Sequence, residues 1–298
     1  MLSLARAEDI PALEKIWTAC FGDGQAYQDL FFQNRFHPDN TVVWRERGTA
    51  VAMAHLMPYT MEDERGERHL CDYVYAVSTL PEFQGKGISS RLLSYAAQTA
   101  EKRGACALSL VPAEESLFDF YRKRGYHTEY YVKRMRVTPE EIGAVPALSF
   151  APCEGQELFS LREAYYGATP FFVRWDRQAL DYILLESAYV GRRCLSFTGK
   201  RQGYLFCEQI EEDSLFIREI GCEQEDFPAV LAGLHARYPG VREFLFRLKA
   251  DSPLGQGEVL PFGMTMYLPK TKDRAHLPMT QRLFKQETTV PYMGLMMD

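Results

Sequence analysis

The sequence predicts a mixed α/β protein built as two consecutive α+β domains. Three observations carry that expectation. Segments with strand periodicity and segments with helix periodicity alternate along the first half. The same order of strands, then a helix, then a strand returns in the second half. A length of 298 residues suits two domains of ordinary size.

The elements follow in chain order. "LSLARAED" reads as a short strand running into a helix start, with Asp9 at the N-cap and Pro11 in the first turn. Ile10, Leu13, Ile16 and Trp17 then recur at helical spacing. A second helix is expected over Ala26 to Phe36, broken by His37-Pro38. Strand-like runs cover Thr41 to Arg45, Ala50 to Tyr59 and His69 to Thr79, the last two joined by the polar "MEDERGERH" around Gly66. A helix from Gly87 to about Arg103 lines up Ile88, Leu92, Ala96 and Ala100 and stops at Gly104. "ACALSLV" is a buried strand, "EESLFDFYRKRG" a short helix closed by Gly125, and "YYVKRMRV" an alternating strand.

The pattern lapses between Thr138 and Pro152, which sets the expected domains at 1–140 and 141–298. The second domain opens with a helix and another near Arg177 to Ser187. A strand meander follows, with turns at Gly199 and Glu212-Asp213, then a helix over Phe227 to Arg237 and the strand "EFLFRL". "LGQGEVLPFG" reads as a loop, because Pro261 follows its glycines and no helix opens there.

Composition narrows the function classes. A net charge of −6 gives no reason to expect nucleic acid. No apolar run approaches the roughly 20 residues of a membrane span, and the N-terminus lacks the basic-then-apolar pattern of a secretory signal. The seven cysteines are scattered, with no C-x-x-C pair. They read as reduced, mostly buried thiols of a cytoplasmic protein, with no disulfide frame and no metal site.

The stretch "TLPEFQGKGISSRLL" (residues 79–93) raises the question of what its bare backbone amides serve. A nucleotide P-loop needs two glycines separated by four residues, followed by Lys and Ser/Thr, whereas here Lys86 lies between Gly85 and Gly87. The dinucleotide fingerprint G-x-G-x-x-G would place Ser90 where its third glycine belongs, and it should start at the strand end, where "LPEFQ" intervenes. The remaining pattern is Gln84-x-x-Gly87-x-Ser89, preceded by a long strand and opening a helix. It resembles the acyl-CoA signature of the GNAT acetyltransferase superfamily, Gln/Arg-x-x-Gly-x-Gly/Ala. A second motif agrees: after the next strand, "FYRKRGYH" carries Tyr121, Gly125 and Tyr126 in the family's Tyr-x-x-x-Gly-Phe/Tyr order. The opening "LARAEDIPALEKIW" also resembles the family's first strand and helix, so the resemblance spans about residues 1–137. Ser89 in place of Gly/Ala, and Glu114 where many members carry Asn, are its departures.

The resemblance implies two tandem domains, each a central, mostly antiparallel sheet flanked by helices, the second degenerate and without its own cofactor. It implies acetyl-CoA as co-substrate and an N-acetyltransferase acting on a primary amine of a small molecule or peptide. The backbone of Val77, Ser78 and Thr79 would pair with the pantetheine arm and polarise the thioester carbonyl. The amides of Gly85, Lys86, Gly87, Ile88, Ser89 and Ser90, in the loop opened by Gln84, would hold the pyrophosphate. Tyr121 would be the general acid, with a buried aromatic as the alternative reading. No base is evident: Asp72, Tyr73, Tyr75 and His55 read as structural or substrate-lining. In the enhanced-intracellular-survival type of aminoglycoside acetyltransferase, which carries a third domain that this length does not accommodate, the chain terminus reaches the active site. That makes Asp298 a candidate base, against the reading of "VPYMGLMMD" as a packed tail. Phe31, Phe32, Tyr165, Tyr166, Phe171, Phe172 and Trp175 are acceptor-pocket candidates or core. The second domain would shape the acceptor site or a homo-oligomer. Two rival classes remain, a drifted acyl-CoA-binding scaffold and a nicotinamide-dependent oxidoreductase.

Overall fold

A computed structural model describes residues 1–269 and 290–296. The chain forms two compact units. The first comprises Met1–Glu129 and the segment beginning at Gly263, and the second comprises Tyr130–Phe262 and the C-terminal residues. The division falls between residues 129 and 130, where the sequence suggested 140.

The first unit contains β1 (Leu2–Leu4), α1 (Ile10–Phe21), α2 (Gln25–Asn34), β2 (Thr41–Glu46), β3 (Thr49–Glu62), β4 (Arg68–Thr79), α3 (Ile88–Lys102), β5 (Ala107–Leu110) and α4 (Glu115–Arg122). There follow β6 (His127–Val137), β7 (Ala151–Pro152), α5 (Gly155–Tyr166), α6 (Arg177–Tyr189), β8 (Arg193–Thr198), β9 (Gln202–Glu211), β10 (Ser214–Gly221), α7 (Phe227–Arg237), β11 (Glu243–Lys249) and β12 (Glu258–Tyr267).

In the first unit β1 to β5 are neighbours in chain order. All pairs are antiparallel except β4 with β5, the parallel pair that flanks α3. The far edge of β5 is covered by Met264–Tyr267 of β12, antiparallel. This corrects the loop reading of "LGQGEVLPFG", since Glu258 onward is strand. Pro261 and Gly263 mask the strand signal in that stretch, and the pairing with β5 that anchors the strand begins only at Met264, beyond it and with a partner some 150 residues earlier. Helix α3 buries Ile88, Leu92, Leu93, Ala96 and Ala100 against the sheet. Each of the two leucines removed from water contributes about 1.5–3 kcal/mol.

Asp9 departs from its expected capping role. It stands at the N-cap of α1 but makes no side-chain cap bond there. Its carboxylate accepts from Arg45 Nη1 and Nη2 at 2.5 and 2.6 Å and from the Arg6 N–H at 2.7 Å. The bidentate pair is buried, and the Arg45 bonds hold the Asp9 carboxyl below its usual range. At the β3–β4 turn the Asp63 carboxylate accepts from the N–H groups of Arg65 and Glu67 and meets His69 Nε2 at 3.0 Å. Asp63, Glu67 and His69 thus bring ligand-type atoms within 4.8 Å of one another, but the bonds made by Asp63 close the turn.

The second unit orders its strands β6-β11-β10-β9-β8-β7. Only β10 and β11 are parallel, and they flank α7 as β4 and β5 flank α3. Leu205, Ile217, Val230, Leu234, Phe244 and Phe246 form its core. All seven cysteines are free thiols. Among the described residues no helix is long and apolar enough to cross a membrane.

Candidate active site

The site grows out of a mismatch in strand length. β4 pairs with β5 only at Asp72–Leu108 and Tyr73–Ser109, and β5 ends at Leu110. β4 runs on to Thr79, so from Val74 onward its edge on the β5 side has no strand partner there. On its other edge β4 carries a bulge. Met53 faces Ser78 and His55 faces Tyr75, with a register shift between them. Ala76, inside the bulge, has φ +50°. A bulge re-aims backbone groups and commonly lies beside functional sites.

Past Thr79 a turn at Pro81–Phe83 leads to Gln84. Gln84 Nε2 donates to the Thr79 carbonyl at 2.9 Å, which also accepts from Cys20 Sγ at 3.4 Å. Thr79 Oγ1 lies 3.2 Å from Ser89 Oγ, and the Ser78 hydroxyl donates to the Ala76 carbonyl. Gln84 and Thr79 therefore staple the loop to the strand end. Between these staples Gly85 and Gly87 have φ +73° and +71°, a region where most side chains are strained. Gly87 is the N-cap of α3 and offers no side chain to cap it. The first amide with a partner in this segment is Arg91, bonded to the Gly87 carbonyl at 3.3 Å. Among the described residues the N–H groups of 85–90 make no hydrogen bond; residues 84–87 are exposed, Ser89 and Ser90 half-buried, and Ile88 turns into the core. A row of free donors at the positive end of a helix fits a phosphate group. A Cβ added at either glycine would meet nothing within 4 Å, so the space in front of the loop is open.

Tyr121 sits on the buried side of α4, 8% exposed, its ring edge-on to Tyr126 at 5.6 Å. Burial lifts its phenol to about 12, and the charge of Arg124 draws it part of the way back. Arg124, one helical turn on, donates from Nε and Nη2 to Ser90 Oγ at 3.1 and 2.5 Å. It ties α4 to the mouth of α3. Sequence reasoning missed Arg124; its signal was the i+3 spacing from Tyr121 in "YRKRG".

The other named residues fall outside this arrangement. His55 is buried among Trp17, Phe31 and Phe32, with Thr41 Oγ1 at 2.8 Å from Nδ1, and burial drives it down to about 3. Asp72 is buried and accepts from Arg103 Nη2 at 2.5 Å. Glu114 is exposed at the N-cap position of α4 and accepts from the Ser116 hydroxyl. Tyr73 is buried, and Tyr75 is half-buried with its hydroxyl 3.3 Å from that of Tyr27. Phe31, Phe32, Phe171, Phe172 and Trp175 are core, and Tyr165 and Tyr166 are half-buried. Asp298 lies outside the described residues.

In the second unit the corresponding places are filled. The turn before α7 carries Glu223, Glu225 and Asp226 in place of a glycine loop, a charge that repels phosphate. Along β10, Arg247 donates to the Arg218 carbonyl and Tyr166 to that of Ile220. The C-terminal segment is buried there: Leu295 N–H donates to Glu219 Oε2 at 2.6 Å, and Trp175 Nε1 donates to the Leu295 carbonyl. A groove of about 670 Å³ beside α5, lined by Glu154, Glu157, Ser160 and Leu161, holds none of the predicted site residues.

Residues 2–128 match a family model described as an acetyltransferase (GNAT) domain. Among solved structures the chain is similar to a GCN5-related N-acetyltransferase from Anabaena variabilis, with TM-score 0.74, 15% identity, and 91% of this chain and 74% of that one covered. It is also similar to Eis1 from Mycobacterium abscessus, with TM-score 0.70, 15% identity, and 91% and 75% covered. A tandem GNAT protein from the clavulanic acid biosynthesis pathway gives TM-score 0.52 and 14% identity, with 90% and 99% covered. Likeness at such identity is one of fold, and it extends over both units. No protein of curated function matches the sequence. The glycine loop and Tyr121 both lie within residues 2–128, the stretch that matches the GNAT acetyltransferase domain model.

Proposed function

We propose that the chain is an acetyl-CoA-dependent N-acetyltransferase that acetylates a primary amine of a small molecule or peptide in the cytoplasm, with its single site in the first unit. One observation carries the reading: the free N–H groups of 85–90 adjoin the open edge of β4, with Tyr121 on the helix tied to that loop. Acetyl-CoA supplies the thioester. The amides of Gly85 to Ser90 hold its diphosphate, and Gly85 and Gly87 keep that face clear of side chains. The β4 edge at Val77 and Ser78 offers backbone hydrogen bonds along the pantetheine arm, and an N–H there polarises the acetyl carbonyl. The acceptor amine forms the new C–N bond as the C–S bond breaks. The amine loses one proton to solvent, and the departing sulfur takes one from the Tyr121 hydroxyl, which is restored from water. The second unit, its equivalent opening filled, contributes no cofactor site.

Isothermal titration with acetyl-CoA, beside a Gly87→Glu variant, tests the cofactor site. Micromolar binding that the variant abolishes supports it, and release of free CoA thiol in the presence of amines then supports turnover. Binding without release from any amine points to a drifted acyl-CoA-binding protein. A folded wild type that gives no heat refutes the reading.

A further inference from the structure

We propose that Arg124 is the side chain by which this protein reads the phosphates of its thioester carrier, so that it selects a phosphorylated thioester over the same thioester without phosphate. The inference rests on the transferase reading of the loop. Three basic side chains lie on or beside that loop, and two are committed elsewhere. Lys86 Nζ donates to the Glu82 carbonyl at 2.9 Å and lies 4.9 Å from the centre of the Phe83 ring, drawn back over the preceding turn. The Arg91 guanidinium lies over the Trp44 ring at 5.5 Å. Arg124 alone of the three is engaged at the mouth of α3, through Ser90.

Its geometry is that of a held donor. The guanidinium stacks 3.4 Å from the Phe120 ring centre, and Nη1 donates to the Phe120 carbonyl. These bonds and the two to Ser90 use three of the five guanidinium N–H groups, leaving two. Ser90 Oγ accepts from Arg124, so its own proton is available to a further acceptor. The Ser90 N–H, in the first turn of α3, is also without a bond among the described residues. Amide, hydroxyl and guanidinium donors thus converge at one helix terminus, the fixed cation adding charge to the dipole. Such a fork matches phosphate oxygens in a way that a lysine does not.

The test compares acetyl-CoA with S-acetylpantetheine, which carries the same thioester and lacks every phosphate. Affinities are measured by calorimetry for wild type, Arg124→Gln, Arg124→Lys and Ser90→Ala, with thermal melting to confirm folding. Arg124→Gln is expected to weaken acetyl-CoA about 10- to 100-fold and to leave S-acetylpantetheine within twofold. Arg124→Lys, which keeps the charge and loses the fork, falls between, and Ser90→Ala shows a smaller loss of the same selectivity. If Arg124→Gln fails to fold, the lysine variant carries the comparison. An unchanged preference for acetyl-CoA overturns the proposal. Equal losses for both thioesters overturn it too, because they mark Arg124 as a strut between helices. A wild type that binds acetyl-CoA in either case leaves the transferase reading standing, whereas one that binds neither thioester removes both.

Discussion

Replacing Tyr121 by Phe keeps the ring and deletes only the hydroxyl. The phenol is raised to about 12, and a thiol leaves as thiolate with a pKa near ~8.5. Proton transfer to the departing sulfur is then uphill by roughly 3.5 units, or about 5 kcal/mol. That fits inside the ~13–17 kcal/mol barrier of an enzyme turning over at 1 to 1,000 per second. Without the phenol the available acid is water, at ~15.7, which is weaker by almost 4 further units. With about half of that difference felt in the transition state, kcat falls about 100-fold, within the range general acids contribute. The assay follows release of free thiol at saturating acetyl-CoA and amine, with acetyl-CoA affinity measured separately. The expected result is the loss in kcat with affinity within twofold. The wild-type profile also shows no alkaline fall due to this group below about pH 11. A variant with kcat within threefold of wild type refutes the assignment of the acid.

Four further outcomes are expected. Glu219→Gln leaves the buried Arg162 without its counter-charge and weakens the anchor of the C-terminal segment. It costs about 3–5 kcal/mol, read as a lower melting temperature and earlier C-terminal proteolysis; an unchanged melt contradicts the role. Gly87→Ala meets no atom but must hold φ +71°; it costs ~1–2 kcal/mol of strain, measured by urea unfolding, and a neutral result contradicts the left-handed turn. His55 is held at about 3 against ~6.5 unfolded, so its contribution is full above pH 6.5 and is lost as pH falls toward 3. Glu129, whose carboxyl is lifted by burial to about 8 and whose Oε2 is without a bond among the described residues, contributes fully below ~4.5 and loses this as pH rises through 8. Stability therefore peaks near pH 5–6, and Glu129→Gln flattens the alkaline side in urea titrations; an unaltered slope in that variant excludes Glu129 as its cause.

What the sequence disclosed was local. The α3 stripe, the stop at Gly104 and the turn at Gly66 are set by neighbours within a few residues, and each appears where it was expected. The features that escaped depend on distant partners. Asp9 resembles a cap until Arg45, 36 residues on, takes its carboxylate. Ala76 carries no turn signal, because its positive φ comes from the β3 register. Arg124 looks like a surface cation until Ser90, 34 residues earlier, receives it. Spacing could place the glycines at the helix mouth, but not the charge that another helix brings to them.

The four residues of β12 that cover β5 have a consequence for how the molecule is made. During synthesis the first 129 residues emerge with the β5 edge bare, and Met264 leaves the ribosome only after nearly all of the second unit. The sheet that bears the glycine loop is therefore finished late, and until then its short edge is open to pairing with other chains. A gene cut near codon 140 would yield a fragment with every residue of the proposed site and one strand too few. The first unit therefore cannot be lifted out as a contiguous stretch of chain: the strand that closes its sheet must be carried with it from beyond residue 262.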